Sequence, residues 1–255
     1  MVAVMNFLES IFRWLHVLFG ILWIGHLYFL NFVNANFEAT LDAEAKKKVI
    51  PELRPRVLFW FRWGAAFTWI TGVLLLLLVY YHGGALFDGP RGWSLGAVLM
   101  VVLVFVSPFI YDALVKSVMK ELRTAFIAGL ILSAILVALF EHLGGFGIRA
   151  YAIHLGATFG TIMAFNVWFR IWPAQQQIIR AIKDGQPVDP ALVALAGLRS
   201  RHNTYMSVPL LMLMVSQHAV TWIGFGNPIA ITLVVLAGWL LVYHLYDRAA
   251  QLKGF

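Results

Sequence analysis

"IFRWLHVLFGILWIGHLYFLNFV" (residues 11–33) is a run whose only charged side chain is Arg13. At about 1.5 Å per residue its helix is as long as the hydrocarbon core of a bilayer, about 30 Å. The run therefore reads as a membrane-spanning helix, and two of its side chains, His16 and His26, are imidazoles where leucine would be free of cost. The rest of the chain agrees. Of its 255 residues 61% are hydrophobic and only 12% charged, and the mean hydropathy is +0.81. A soluble domain cannot hide that much apolar surface, so the expected fold is an all-α integral membrane protein.

Seven spans fit the hydropathy, near 11–33, 57–81, 93–115, 124–141, 148–172, 204–223 and 228–246. One set of connections is short and Gly-rich, as in "HGGALFDGPRG" and "GFGNP"; the other is longer and basic. Of the 19 Lys and Arg residues, only Arg13, Arg91 and Arg149 fall on the Gly-rich side. That asymmetry predicts an outer N-terminus and a cytoplasmic C-terminus, which an odd number of spans also requires. It explains the net charge of +7 by topology, without nucleic acid. The first run lacks a basic leader and a small-residue cleavage site, so it is expected to be retained. With no cysteine, disulfides, thiolate-bound metals and a c-type haem attachment site are excluded from this chain.

No internal repeat or second domain is visible, and residues 1–255 read as one transmembrane helical domain. The connections near 34–56 and 173–201 are long enough for interfacial helices: "DAEAKKKVI" and "AQQQIIRAIKDG" separate apolar from charged residues. Ordinary solvated linkers are the alternative.

Ionisable residues inside a span point to function by default. Of the eight histidines, His82 and His142 sit at outer span ends and His244 near the inner end of the last span. Counting along the expected spans puts His16, His154 and His218 at one level near the outer leaflet. His26 lies about 15 Å deeper, with His202 and His244 approaching that inner level. Two tiers of imidazole suit a b-type cytochrome, because neutral histidines from different helices are the usual ligands of haem iron. The expected cofactor is thus one or two haem b groups held by His16, His26, His154, His202 and His218. Gly20 and Gly25 beside Trp23 in the first span, and Gly156 and Gly160 after His154, would let a flat macrocycle approach the backbone. The alternatives are a small-xxx-small helix contact for the glycines and an interhelical hydrogen bond for any single histidine. Carboxylates within spans are few and lie near ends (Asp112, Glu141, Asp247), and no Glu-x-x-His pair is present, so a di-iron site fits less well. Zinc hydrolysis lacks polar partners.

A basic constellation marks the inner face. "LRSRHNTY" (198–205) enters the sixth span, Arg62 and Trp63 lie inside the second, and Asn166 and Arg170 end the fifth, followed by "PAQQQ". A guanidinium fork beside amide groups suits an oxygen-rich or anionic ligand. Arg62, Asn166, Arg201 and Asn203 are the candidate substrate-contacting residues. Arginines that merely mark the membrane boundary are the alternative.

"WLHVLFGILWIGHLYFLNFVN", "RWGAAFTWITG", "HLGATFGTIMAFNVWFRIWPAQ" and "RSRHNTYMSVPLLMLMVSQH" resemble the membrane domain of bacterial membrane-bound urate hydroxylases, the urate oxidase N-terminal domain family. The resemblance covers nearly the whole chain. It implies an oxidoreductase of the bacterial inner membrane that converts urate to 5-hydroxyisourate, with electrons passing to a c-type cytochrome domain fused at the C-terminus. The family's recurrent histidines would match His16, His26, His154, His202 and His218. Since the sequence ends after the last span without a c-type haem motif, a separate c-type cytochrome or other respiratory redox partner is expected. Two further readings stay open: a b-type electron-transfer or anchor subunit without urate activity, and a transporter with histidine proton relays, although no matched broken-helix repeat supports the latter.

Overall fold

The computed structural model describes residues 2–90, 92–215 and 228–252. Every regular element among them is helical. The first helix, α1 (Val2–Tyr28), passes through a π-helical turn π1 (Phe29–Asn34) into α2 (Ala35–Thr40). After a two-residue break, α3 (Ala43–Leu75) continues through π2 (Leu76–His82). Then come α4 (Leu95–Ser117), α5 (Leu122–His142), α6 (Ile148–Asn166) with π3 (Val167–Ile171) and α7 (Trp172–Lys183), α8 (Pro190–Val215) and α9 (Pro228–Gln251). Six of the continuous helical segments are long and apolar enough to cross a membrane; they contain α1, α3, α4, α5, α6 and α9. The expected all-α membrane fold is therefore the observed one. Only part of the span expected at 204–223 is described, as the end of α8.

The start sites follow from capping chemistry. Asp42 accepts from the Ala45 amide at 2.7 Å ahead of α3, and Ser94 from the Ala97 amide at 3.1 Å ahead of α4. Asp88, in the Gly-rich connection, reaches the Ile148 amide at 3.0 Å and ties that loop to the head of α6.

Two expected boundaries move. The first helix begins at Val2 rather than at residue 11, and the helices within 34–56 run on into the spans at either side. At the other site, Pro173 reads as a stop in sequence because it has no N–H and crowds the carbonyl four residues back. The helix passes it all the same. The wide turn π3 precedes the proline, and Phe169, whose carbonyl loses its normal donor, accepts instead from Arg170 Nη1 at 3.0 Å. The two basic connections meet: Arg54 pairs with Glu38 and donates to Gln175 Oε1 at 3.0 Å.

α6 is the central helix. Most of its side chains are buried, including the small residues Ala150, Ala152, Gly156 and Ala164 that let neighbours close in. α1 instead lies along α3 at the margin. Phe19 stacks on Phe67 with centroids 4.8 Å apart, and a Cβ on Gly64 would lie 3.0 Å from the Trp23 backbone nitrogen. Large apolar side chains such as Trp14, Ile21, Phe109, Ile131 and Leu233 point outward, as a surface facing lipid requires.

Candidate functional site

Polar groups buried in a helix bundle at membrane depth must find partners or carry a heavy cost. They concentrate here where the ends of α4 and α6 meet α8. Asp112 is the hub. Its Oδ1 accepts from Arg170 Nε at 2.8 Å and from Arg199 Nη2 at 2.6 Å. Its Oδ2 accepts from Arg170 Nη2 at 2.6 Å and pairs with Lys116 Nζ at 2.9 Å. Arg199 is only 1% exposed, a guanidinium sealed within the bundle, and it lies over the Tyr111 ring at 5.1 Å.

A chain of hydrogen bonds runs inward from Arg199. Its Nη1 donates to Asn166 Oδ1 at 3.4 Å, which orients that amide. Asn166 Nδ2 then donates to Asn203 Oδ1 at 2.9 Å and to the Tyr111 oxygen at 3.3 Å. Asn203 Nδ2 donates to the Met163 carbonyl at 3.0 Å. The Tyr111 oxygen accepts from Asn166, and the acceptor within reach of its own hydrogen is His202 Nδ1, 2.8 Å away, so the phenol is assigned as donor to the imidazole. The imidazole is thereby held with its proton on Nε2, and Nε2 is buried without a partner. Arg199 Nε is likewise buried and unpartnered.

Of the four residues expected to contact substrate, Asn166 and Asn203 are brought together. Arg201 is not among them: it is exposed, on another face of α8, with its guanidinium 5.4 Å above the Tyr246 ring. Arg62 lies in an aromatic setting of its own, 4.0 Å from the Trp172 centroid and 5.9 Å from that of Trp168. The cluster also takes in Arg170 and Arg199 from the basic constellation, together with Asp112 and Tyr111, which the sequence does not single out as ligand contacts. Arg199 lies one turn before the stretch 202–207, in which α8 is buried on every side.

The histidines go to separate places. His16 Nδ1 contacts the Thr68 carbonyl at 2.9 Å and Thr71 Oγ1 at 3.2 Å, with the ring edge against Gly72. His26 Nδ1 contacts its own helix at Leu22 O, 2.5 Å away. Nε2 of both rings makes no hydrogen bond among the described residues. His154 has both nitrogens engaged, Nδ1 with Ala150 O at 2.7 Å and Nε2 with the Tyr81 hydroxyl at 3.0 Å, inside a shell of Tyr80, Phe140 and Phe146. His16 and His154 thus meet different stretches of α3–π2, near Thr68–Gly72 and near Tyr81, and not one shared level. α1 starts nine residues earlier than hydropathy suggests, at Val2 instead of 11, so a residue count from its outer end does not fix the depth of His16. His218 lies outside the described residues.

Of the glycines expected to admit a macrocycle, Gly156 and Gly160 pack against a neighbouring helix, whereas nothing lies within 4 Å of a Cβ on Gly25. A Cβ on Gly156 would meet Met214 and Leu213, and one on Gly160 would meet Leu210, so both face α8. A Cβ on Gly20 would meet Thr68 at 3.9 Å. Trp23 is 2% exposed at the crossing of α1 and α3.

Fold and cluster together define an all-α integral membrane protein with a cationic, amide-lined centre buried near one end of its bundle. The urate oxidase N-terminal family model matches residues 40–254. The chain belongs to that family and is a urate-oxidase-related protein. No curated protein and no solved structure matches it. Asp112, Asn166, Arg199, His202 and Asn203 lie within the matched residues, whereas His16 and His26 precede them.

Proposed function

We propose that the protein is a membrane oxidoreductase that converts urate to 5-hydroxyisourate and delivers the electrons to a separate redox partner. Urate is a planar anion edged with carbonyl oxygens and N–H groups. It suits a guanidinium with a free donor, Arg199 Nε, beside the amides of Asn166 and Asn203. The local charge favours an anion as well, since Arg170, Arg199 and Lys116 share the single carboxylate of Asp112. The observation that carries the reading is Arg199, fully enclosed and incompletely partnered, in a chain related to urate oxidase. By the positive-inside asymmetry this end of the bundle faces the cytoplasm of a bacterial inner membrane.

The test is loss of urate absorbance in purified protein supplied with an artificial electron acceptor. Wild type turns over. Arg199→Lys and Asn203→Ala lower kcat/KM at least tenfold while Arg201→Ala, on the outer face, does not. A wild-type protein inert with one- and two-electron acceptors alike would overturn the proposal.

Haem b remains a proposal on donor chemistry. An imidazole whose Nδ1–H is given to a backbone carbonyl presents its Nε2 lone pair for ligation, and His16 and His26 have that arrangement. His154, with both nitrogens engaged, and His202, whose Nε2 carries the proton, do not. A haem on α1 would supply one-electron transfer out of the membrane domain, towards a c-type cytochrome or comparable carrier. Reduced-minus-oxidised spectra and pyridine extraction of the purified protein test for it.

A further inference from the structure

Between α4, α5, α6, α8 and α9 lies a cavity of about 290 Å³. Its walls are almost wholly apolar and include Leu103, Phe126, Leu136 and Met206. The hydroxyls of Ser107, Ser133 and Thr158 also line it, but each gives its hydrogen to a carbonyl of its own helix, those of Val104, Gly129 and His154. Two residues that line it, His202 and Trp239, each carry a buried ring nitrogen without a partner, Nε2 and Nε1. His202 is 7% exposed, and the Arg199–Asn166–Tyr111 chain fixes its Nε2 as a donor.

We infer that this cavity binds a lipid-soluble quinone, with a ring carbonyl accepting from His202 Nε2. A pure hydrocarbon occupant would leave both donors unsatisfied, at a cost that buried polar groups rarely bear. Urate itself would strand its polar edges against leucine and phenylalanine. A fatty acid would bring a carboxylate to a neutral imidazole, whereas the nearby guanidinium Arg199 Nη2 is already committed to Asp112. A neutral carbonyl acceptor on an apolar body fits both the donors and the walls. Two of the helices that line the slot, α4 and α5, are candidate spans, and their lining residues Ile110 and Ile135 are also exposed on the outer surface.

Binding stands by itself. The carrier's role as oxidant rests on the proposed function: urate and water yield 5-hydroxyisourate, two electrons and two protons, and the quinone takes both electrons and both protons to become quinol. Tyr111 and His202 connect the two sites by hydrogen bonds.

The test uses the full chain in lipid nanodiscs without urate, titrated with decylubiquinone and followed by quenching of tryptophan fluorescence. Wild type gives saturable quenching. His202→Phe weakens it at least tenfold, His202→Gln, which keeps a donor, stays within threefold, and Leu136→Trp, which fills the slot, abolishes it. Ile131→Trp, on the outward side of α5, binds as wild type. Each variant is required to elute as a single species with wild-type helical circular dichroism, and Leu136→Ala, which enlarges the slot, replaces Leu136→Trp if that one misfolds. Absence of saturable quenching in wild type, equal affinity in His202→Phe, or saturable quenching abolished by a stoichiometric amount of oleate would overturn the inference. Lack of urate turnover with retained quinone binding would overturn only the proposed function.

Discussion

The Tyr111 hydroxyl stands 2.8 Å from His202 Nδ1, and this contact joins the ionic cluster around Asp112 to the wall of the apolar cavity. Neither residue could be read alone. The phenol accepts from Asn166 and donates to the imidazole, so the amide's orientation decides which nitrogen of His202 carries the proton.

Replacing Tyr111 by Phe keeps the ring under Arg199 and removes the relay. Asn166 and His202 then each lose a buried partner, and the expected destabilisation is about 1–3 kcal/mol. Thermal unfolding in detergent checks it against Tyr28→Phe. That hydroxyl meets only Ser207 in a half-buried setting, and its loss is expected to cost about 1 kcal/mol.

Asp112→Asn is expected to be more severe. The carboxylate is the counter-ion of Arg199, and its loss strands a sealed guanidinium, an effect on the order of 3–5 kcal/mol. Arg170 contributes less to that figure because it is partly open to solvent or headgroups and keeps alternative partners. Combining Asp112→Leu with Arg199→Met removes both charges, and the pair is expected to restore stability while abolishing urate turnover. Failure of the double variant to recover any of the lost stability would show that the cluster is held by something other than charge compensation.

Glycines along α1 and α3 separate packing from approach to a ligand. A methyl group on Gly64 meets the Trp23 backbone at 3.0 Å, and backbone cannot swing aside. A methyl group on Gly25 meets nothing within 4 Å. Gly64→Ala is expected to cost about 1–3 kcal/mol through overpacking, whereas Gly25→Ala leaves stability unchanged or slightly raised through helix propensity. Differential unfolding of the two variants is the measurement.

Hydropathy made the membrane fold legible because lipid exposure demands long apolar runs, and such runs occur in α1, α3, α4, α5, α6 and α9. It failed at element ends for local reasons. Pro173 looks like a terminus until π3 and Arg170 are seen to accommodate it, and α3 carries Pro51 and Pro55 without interruption. The site was half legible. Asn166 and Asn203 stand out as amides within spans, but Arg199 was counted among the boundary arginines, because charge counting cannot tell a headgroup contact from a buried ion pair. Its partner Asp112 lies 87 positions earlier, and only the packing of α4 against α8 brings the two together. The histidine tiers rest on assumed helix starts, whereas in the bundle His16 is displaced from His154 along α3–π2, meeting Thr68 and Thr71 rather than Tyr81.

The same displacement makes the haem proposal divisible. On α1 the Nδ1 atoms of His16 and His26 contact backbone carbonyls and leave Nε2 open. On α6 the imidazole of His154 is closed by Tyr81 and a ring of aromatics. Any haem absorbance in the purified protein is therefore expected to fall by half or more in His16→Ala or His26→Ala and to persist in His154→Ala. The His154 variant loses thermal stability instead, because the Tyr81 hydroxyl is left without its acceptor in a buried aromatic pocket. Spectra and melting curves recorded on the same three preparations decide the matter. Absorbance abolished by His154→Ala and untouched by the α1 variants would move the iron ligand to α6 and require Tyr81 to turn away from the imidazole.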